Sequence, residues 1–267
     1  MTLPLYQVDA FTNRPFGGNP AAVCPLDGWL SDELMQQIAA ENNLAETAFY
    51  TSEGEHFGLR WFTPATEVDL CGHATLATAY VLFHINQYSG SSLLFNTRSG
   101  VLTVEKEDHR LVMDFPTDTL AAAKASDAVL AGLGHIQPTA SFRGKSDYLI
   151  VLESQSQVEA IRPDFRKMME DQNTRAVIVT AVGDARDVDF VSRCFAPAAG
   201  IDEDPVTGSA HTTLTPYWAE RLGKTHMTAQ QLSSRGGTLY CTQQNGRTKI
   251  AGEAVLYLRG QINLKAE

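Results

Sequence analysis

The chain has 267 residues, of which 43% are hydrophobic and 19% charged, with a formal net charge of −10. That length allows one large domain or two of about 130 residues each, and the acidic balance, with no Lys/Arg-rich run, argues against a nucleic-acid partner, whose phosphates need clustered cations. The opening "MTLPLYQVDAF" lacks a signal peptide's basic start and apolar run, no apolar stretch approaches the roughly 20 residues that span a bilayer, and Cys24, Cys71, Cys194 and Cys241 form no C-x-x-C pair. These features point to a cytoplasmic protein with reduced thiols, away from membranes.

In chain order, "PLYQVDAFT" alternates as a strand does, "NRPFGGNP" is a turn cluster, and "AAVCPL" is a short buried strand. Ser31 is an expected N-cap for the helix "DELMQQIAAENN", with Leu34 and Ile38 at helical spacing. "AETAFYTS" and "FGLRWFTP" read as strands. In "ATEVDLCGHATLATAYVLFHIN", Gly72 punctuates and a strongly apolar helix follows from His73; such a helix belongs at the centre of a fold. "SLLFNT", "GVLTVEKED" and "HRLVMDFP" form an antiparallel series. Further on, strands "LIVLES" and "AVIVTAV" flank the helix-like "PDFRKMMED", and "DVDFVSRCFAP" leads through "AAGIDEDPVTG" into the helix "SAHTTLTPYWAERLG". "KIAGEAVLYLRGQINL" closes the chain with one or two strands.

The order of elements repeats. "RWFTPATEVDLCGHATLATAYVLF" and "RCFAPAAGIDEDPVTGSAHTTLTPYWAERLG" share R-x-F-x-P-A; nine residues separate Phe62 from Cys71, and nine separate Phe195 from Asp204. The expected fold is therefore α/β (α+β): two pseudo-symmetric lobes, 1–116 and 117–267, each a mostly antiparallel mixed sheet wrapped around a central helix, with the last strand able to return to the first lobe. The two helix N-termini are expected to aim into the cleft between the lobes. Unpaired N–H groups and a partial positive charge would suit a carboxylate there, and Gly72, Gly208 and Ser209 would let it approach the backbone.

Three acid–base candidates stand out. Asp204 precedes a helix start and reads as an N-cap or a site carboxylate, with Pro205 in the first helical turn. His73 lies at a helix start, as a polar cap or a proton shuttle. Glu46 interrupts an apolar strand and either faces solvent or is a buried carboxylate with a raised pKa, suited to general acid–base work. Cys71 is a nucleophile, a proton-transfer thiol or a plain buried cysteine. Asp202 and Glu203 read as loop or surface groups. No Ser-His-Asp logic, dinucleotide fingerprint or P-loop is legible, and no His/Asp/Glu set stands at metal-ligand spacing.

On "VDAFTNRPFGGNPAAV", "AETAFY", "RWFTPATEVDLCGHATLATAYVL" and "GIDEDPVTGSAH", found in order along essentially the whole chain, the sequence resembles the PhzF family of phenazine-biosynthesis-like proteins, which share the diaminopimelate epimerase fold. The resemblance implies a homodimer without cofactor or metal. It implies isomerase activity of the kind its characterised member has on a cyclic dihydro-hydroxyanthranilate, where one glutamate takes a proton from one carbon and returns one to another. By motif that glutamate is Glu46, the site histidine His73, the aspartate Asp204 and the serine Ser209, with Gly72 and Gly208 as backbone positions, Cys71 beside them and Asn19 in the N-terminal loop. The related epimerases use two cysteines; here Cys71 takes the first position and Asp204 the second, which disfavours a two-thiol racemase. "LSSRGGTLY" matches the family's Gly-rich segment loosely, and the length is short for the family. The expected function is a cofactor-independent isomerase of a small carboxylate-bearing metabolite; the alternatives are an epimerase using Cys71 and Asp204, or a non-catalytic small-molecule binding protein on the same scaffold.

Overall fold

Strand β1 (Thr2–Ala10) runs antiparallel to β2 (Asn19–Leu26), and β2 runs parallel to β3 (Glu46–Glu53), so a helix must return the chain between them. That helix is α1 (Asp32–Asn42). The Ser31 hydroxyl accepts from Leu34 N–H as its N-cap, and Asn43 ends it in the left-handed conformation, φ 48°. Then follow β4 (His56–Phe62), the two-residue β5 (Glu67–Val68), helix α2 (Gly72–Tyr80) running into a π-helical turn (Val81–Ile85), and β6 (Ser92–Thr97), β7 (Gly100–Glu107) and β8 (Arg110–Pro116). The C-terminal strand, Ala254–Asn263, pairs antiparallel with β1. This computed structural model describes residues 1–264, which fall into two compact units, one of residues 1–114 with those from 251 on, the other of residues 115–250.

In the first unit, β2 and β3 are buried along nearly their whole length because both faces are covered. Met35, Ile38 and Ala39 of α1 pack with Cys24, Leu26, Phe49 and Phe62 on one face. Helix α2 touches β1, β2 and β3 and is buried throughout from His73 to Ala79. It carries two threonines into that core without orphaning them: the Thr75 and Thr78 hydroxyls donate to the carbonyls of Cys71 and Ala74, at 2.6 and 2.8 Å.

The second unit repeats the plan with β9 (Ala121–Ala122), α3 (Asp127–Gly132), β10 (Ala140–Arg143), β11 (Asp147–Val151), α4 (Gln155–Ala160), α5 (Phe165–Met168), β12 (Ala176–Val182), β13 (Phe190–Ala196), β14 (Ile201–Asp204), α6 (Gly208–Leu222), β15 (His226–Gln231), β16 (Gly237–Gln244) and β17 (Arg247–Gly252); the C-terminal strand is β18. As β2 is parallel to β3 and β4 to β6, so β11 is parallel to β12 and β13 to β15. The shared R-x-F has a physical content. Arg60 grips Glu67 with two hydrogen bonds and lies over the Phe62 ring at 5.2 Å; Arg193 grips Glu203 in the same way and lies over Phe195 at 4.9 Å. Glu203 is therefore a paired, partly buried group and not the loop acid expected from sequence.

Pro216 sits inside α6 and offers no N–H to the carbonyl four residues earlier. That carbonyl, of Thr212, instead accepts from the Asp118 N–H at 3.2 Å. The expected helix over "PDFRKMMED" shrinks to the four residues of α5, while α3, α4, β10, β15 and β16 were not anticipated. β15 and β16 are half-exposed, and their polar outward faces dilute the apolar signal. Among the described residues no helix is long and apolar enough to cross a membrane.

His211 of α6 is fully buried; it packs near Phe190, and burial lowers its pKa to about 4. The folded state thus excludes a proton that the unfolded chain takes up near pH 6.5, so stability is complete above that pH and falls as pH drops toward 4. The linkage amounts to about 3 kcal/mol over that window. Denaturation of His211→Gln followed from pH 7 to pH 4.5 is expected to show a shallower acid loss than wild type; parallel profiles would dismiss this residue as a source of acid sensitivity.

Candidate active site

The first unit gathers five of the residues expected from sequence. Asn19 opens β2, Glu46 opens β3, Cys71 is the N-cap position of α2, and Gly72 and His73 are its first two residues. Parallel pairing of Ala21 with Glu46 aligns the starts of β2 and β3, and the packing of α2 on both strands brings its N-terminus to them. His73, only 5% exposed, is the hub. Its Nε2 lies 3.1 Å from Glu46 Oε2, and its Nδ1 lies 3.2 Å from Asn19 Nδ2 and 3.5 Å from Cys71 Sγ. Glu46 is buried, which excludes the outward-facing reading, and His73 is no surface cap.

Burial alone would lower the His73 pKa, but its neighbours Cys71 and Glu46 outweigh it and hold it well above the usual histidine value. Burial, and then the Glu46 charge, push the Cys71 thiol up, so Cys71 stays protonated where a thiolate nucleophile would be needed. The Asn19 amide serves either His73 state: its nitrogen donates to a bare Nδ1, and a flipped amide oxygen accepts from Nδ1–H.

Donor atoms of Glu46, Cys71 and His73 lie within 4.8 Å of one another. The three are of types that suit a zinc ion. Spacing along the sequence missed this convergence because one residue comes from a strand and the others from a helix start 25 and more positions on.

The second unit gathers Asp204, Gly208 and Ser209. Asp204 is the last residue of β14 and not the N-cap of α6; that position is held by Thr207, and Pro205 lies in the turn before the helix. The reason is local. The Thr207 hydroxyl donates to Asp204 Oδ2 at 2.6 Å, and Gln231 clamps the turn, donating from Nε2 to the Asp204 carbonyl and the Thr207 hydroxyl and accepting the Thr207 N–H at 2.9 Å. These bonds bend the chain for three residues before the helix begins. Ser209 is the second residue of α6, and its Oγ lies 3.4 Å from both terminal nitrogens of Arg175. Thr207, Gln231 and Arg175 are not legible in the sequence: Thr207 is one hydroxyl residue within the Asp-Pro-Val-Thr-Gly-Ser run, and Gln231 and Arg175 carry no local pattern.

The sequence matches the family described as phenazine biosynthesis-like protein over residues 8–260. A Pseudomonas aeruginosa protein named an uncharacterized isomerase is 54% identical over 265 residues, covering 99% of this chain and 100% of its own. The length is thus no departure from such relatives, contrary to the expectation from sequence. A crystal structure of a phenazine biosynthesis protein of the PhzF family from Enterococcus faecalis superposes with a TM-score of 0.95 at 45% identity, covering 99% of this chain and 100% of that one. A hydroxyproline epimerase from Agrobacterium vitis shares the fold alone, with a TM-score of 0.64 at 10% identity over 98% of this chain and 92% of its own.

Proposed function

The chain belongs to the phenazine biosynthesis-like (PhzC-PhzF) family, and from that premise we propose that it is a cofactor-independent isomerase that moves a proton between two carbons of a small, unsaturated, carboxylate-bearing metabolite, with Glu46 as the proton carrier. The observation that carries this reading is the buried pair of Glu46 Oε2 and His73 Nε2: they stand 3.1 Å apart, and neither atom has an aligned hydrogen-bond partner. Both therefore retain bonding capacity for a bound molecule in a dry setting, where a proton acceptor is most effective.

In the forward step Glu46 takes a proton from an activated C–H, the electron pair moves along the unsaturated system, and Glu46 returns the proton to another carbon. No electrons are gained or lost, and no step needs a metal. The backbone at Gly72, the first residue of α2, positions the substrate beside Glu46 and His73. A homodimer in the cytoplasm belongs to this proposal on the family resemblance alone. Incorporation of solvent deuterium into a panel of unsaturated carboxylates tests it, with Glu46→Gln as the control.

The second reading, an epimerase using Cys71 and Asp204, draws on Cys71 Sγ lying 3.5 Å from His73 Nδ1. Cys71→Ser separates the two. The isomerase keeps its deuterium exchange within about tenfold, whereas an epimerase relying on the thiol loses on the order of 10²-fold or more.

A further inference from the structure

An anionic substrate next to Asp204 meets a like charge. The α6 N-terminus answers with roughly half a positive charge, which does not offset a full carboxylate. A fixed cation does stand there. Arg175 directly precedes β12; its Nε donates to Asp147 Oδ1 at 2.9 Å, and its Nη2 makes a short contact with Oδ2. Burial in this pair is lopsided: the Asp147 side chain is 4% exposed, that of Arg175 47%. Here the carboxylate is sunk into the protein and holds one edge of the guanidinium, so that the plane is fixed and the remaining edge is presented outward. That edge faces Ser209 at 3.4 Å from both Nη1 and Nη2, a long contact that a ligand oxygen can replace. An arginine with one edge fixed and the other held only by a long hydroxyl contact is suited to paired hydrogen bonds with a planar carboxylate.

We propose that Arg175 binds the carboxylate of a small-molecule ligand, together with the Ser209 hydroxyl and the first N–H groups of α6, and that Asp147 is the residue that positions it. This rests on the reading that the substrate is a small carboxylate, and it makes Arg175 the source of selectivity for acids over amides.

The test is titration of the whole protein with benzoate and with benzamide, its neutral counterpart, at fixed ionic strength. Wild type is expected to bind benzoate at least tenfold more tightly than benzamide. Arg175→Gln is expected to lose at least tenfold in benzoate affinity with benzamide unchanged, and Arg175→Lys to fall between. Wild type without the benzoate preference, or Arg175→Gln with wild-type affinity, overturns the assignment. A crystal soaked with benzoate supplies a readout independent of any variant: its carboxylate is expected within hydrogen-bond distance of Arg175, and a benzoate seated elsewhere counts against the proposal. Glu46→Gln, titrated alongside, is expected to bind benzoate normally while losing exchange. If it keeps exchange while Arg175→Gln loses benzoate, the proton-carrier reading falls and the carboxylate site stands; the reverse pattern sinks the site alone.

Discussion

Replacing Glu46 by Gln is expected to lower deuterium exchange into a turned-over carboxylate by about 10²- to 10⁴-fold, the range that a positioned acid–base group contributes. The exchange of an oxygen for an amide nitrogen keeps the volume of the side chain, which matters at a position only 7% exposed. The amide oxygen can take the place of Oε2, which lies 3.1 Å from His73 Nε2 in the wild type, so the packing around the hub is kept. What disappears is the ability to take up a proton. Asn19, Cys71 and the α2 N-terminus are untouched, so substrate affinity is expected to hold while turnover collapses, the signature of an interaction made only in the transition state. A second consequence follows at His73. Glu46 is among the groups that hold it well above the usual histidine value, so loss of that charge is expected to bring its NMR titration downward. Exchange at the wild-type rate in Glu46→Gln would remove Glu46 as the carrier.

Much of this site was legible in the sequence because helix starts and strand starts leave local signals. Gly72 and Gly208 mark the beginnings of α2 and α6, and an acid at the head of an apolar strand is conspicuous at Glu46. The R-x-F repeat was also readable, and the structure gives it a cause in the matched Arg60–Glu67 and Arg193–Glu203 pairs. What was not legible depends on pairings distant along the chain. Gln231 reaches Thr207 across 24 positions, and Arg175 reaches Ser209 across 34; neither residue type nor spacing announces such bonds. Of the two readings of Asp204, the N-cap fails because preference for Asp at N-caps is a local rule, whereas the helix start there is delayed by the Thr207 and Gln231 bonds. Glu203 was misread because its partner Arg193 lies on the neighbouring strand.

The two matched arginines should respond unequally to removal. Arg193 is 8% exposed, and besides both Glu203 oxygens it serves the carbonyls of Val158 and Ile161 at 3.2 and 2.9 Å, at the C-terminal end of α4. Arg193→Met keeps the apolar stem over Phe195 but leaves a carboxylate and two carbonyls without their donor. Breaking a buried pair in this way costs about 3–5 kcal/mol. In a protein of this size each kcal/mol moves the melting midpoint by roughly 2–4 °C, so a drop on the order of 10 °C is expected. Arg60→Met removes the equivalent residue, yet Glu67 keeps Arg98 Nη2 at 2.6 Å, and the other partner of Arg60, Asp32, is 66% exposed and can turn to water. The loss there is expected near 1–2 kcal/mol, closer to that of a solvated pair. Chemical denaturation of the two variants side by side decides the matter. Equal losses would mean that the ion pair itself, common to both repeats, sets the energy; a clearly larger loss for Arg193→Met would show that the repeat has been put to heavier structural use in the second unit, where one guanidinium holds β13, β14 and the end of α4 together.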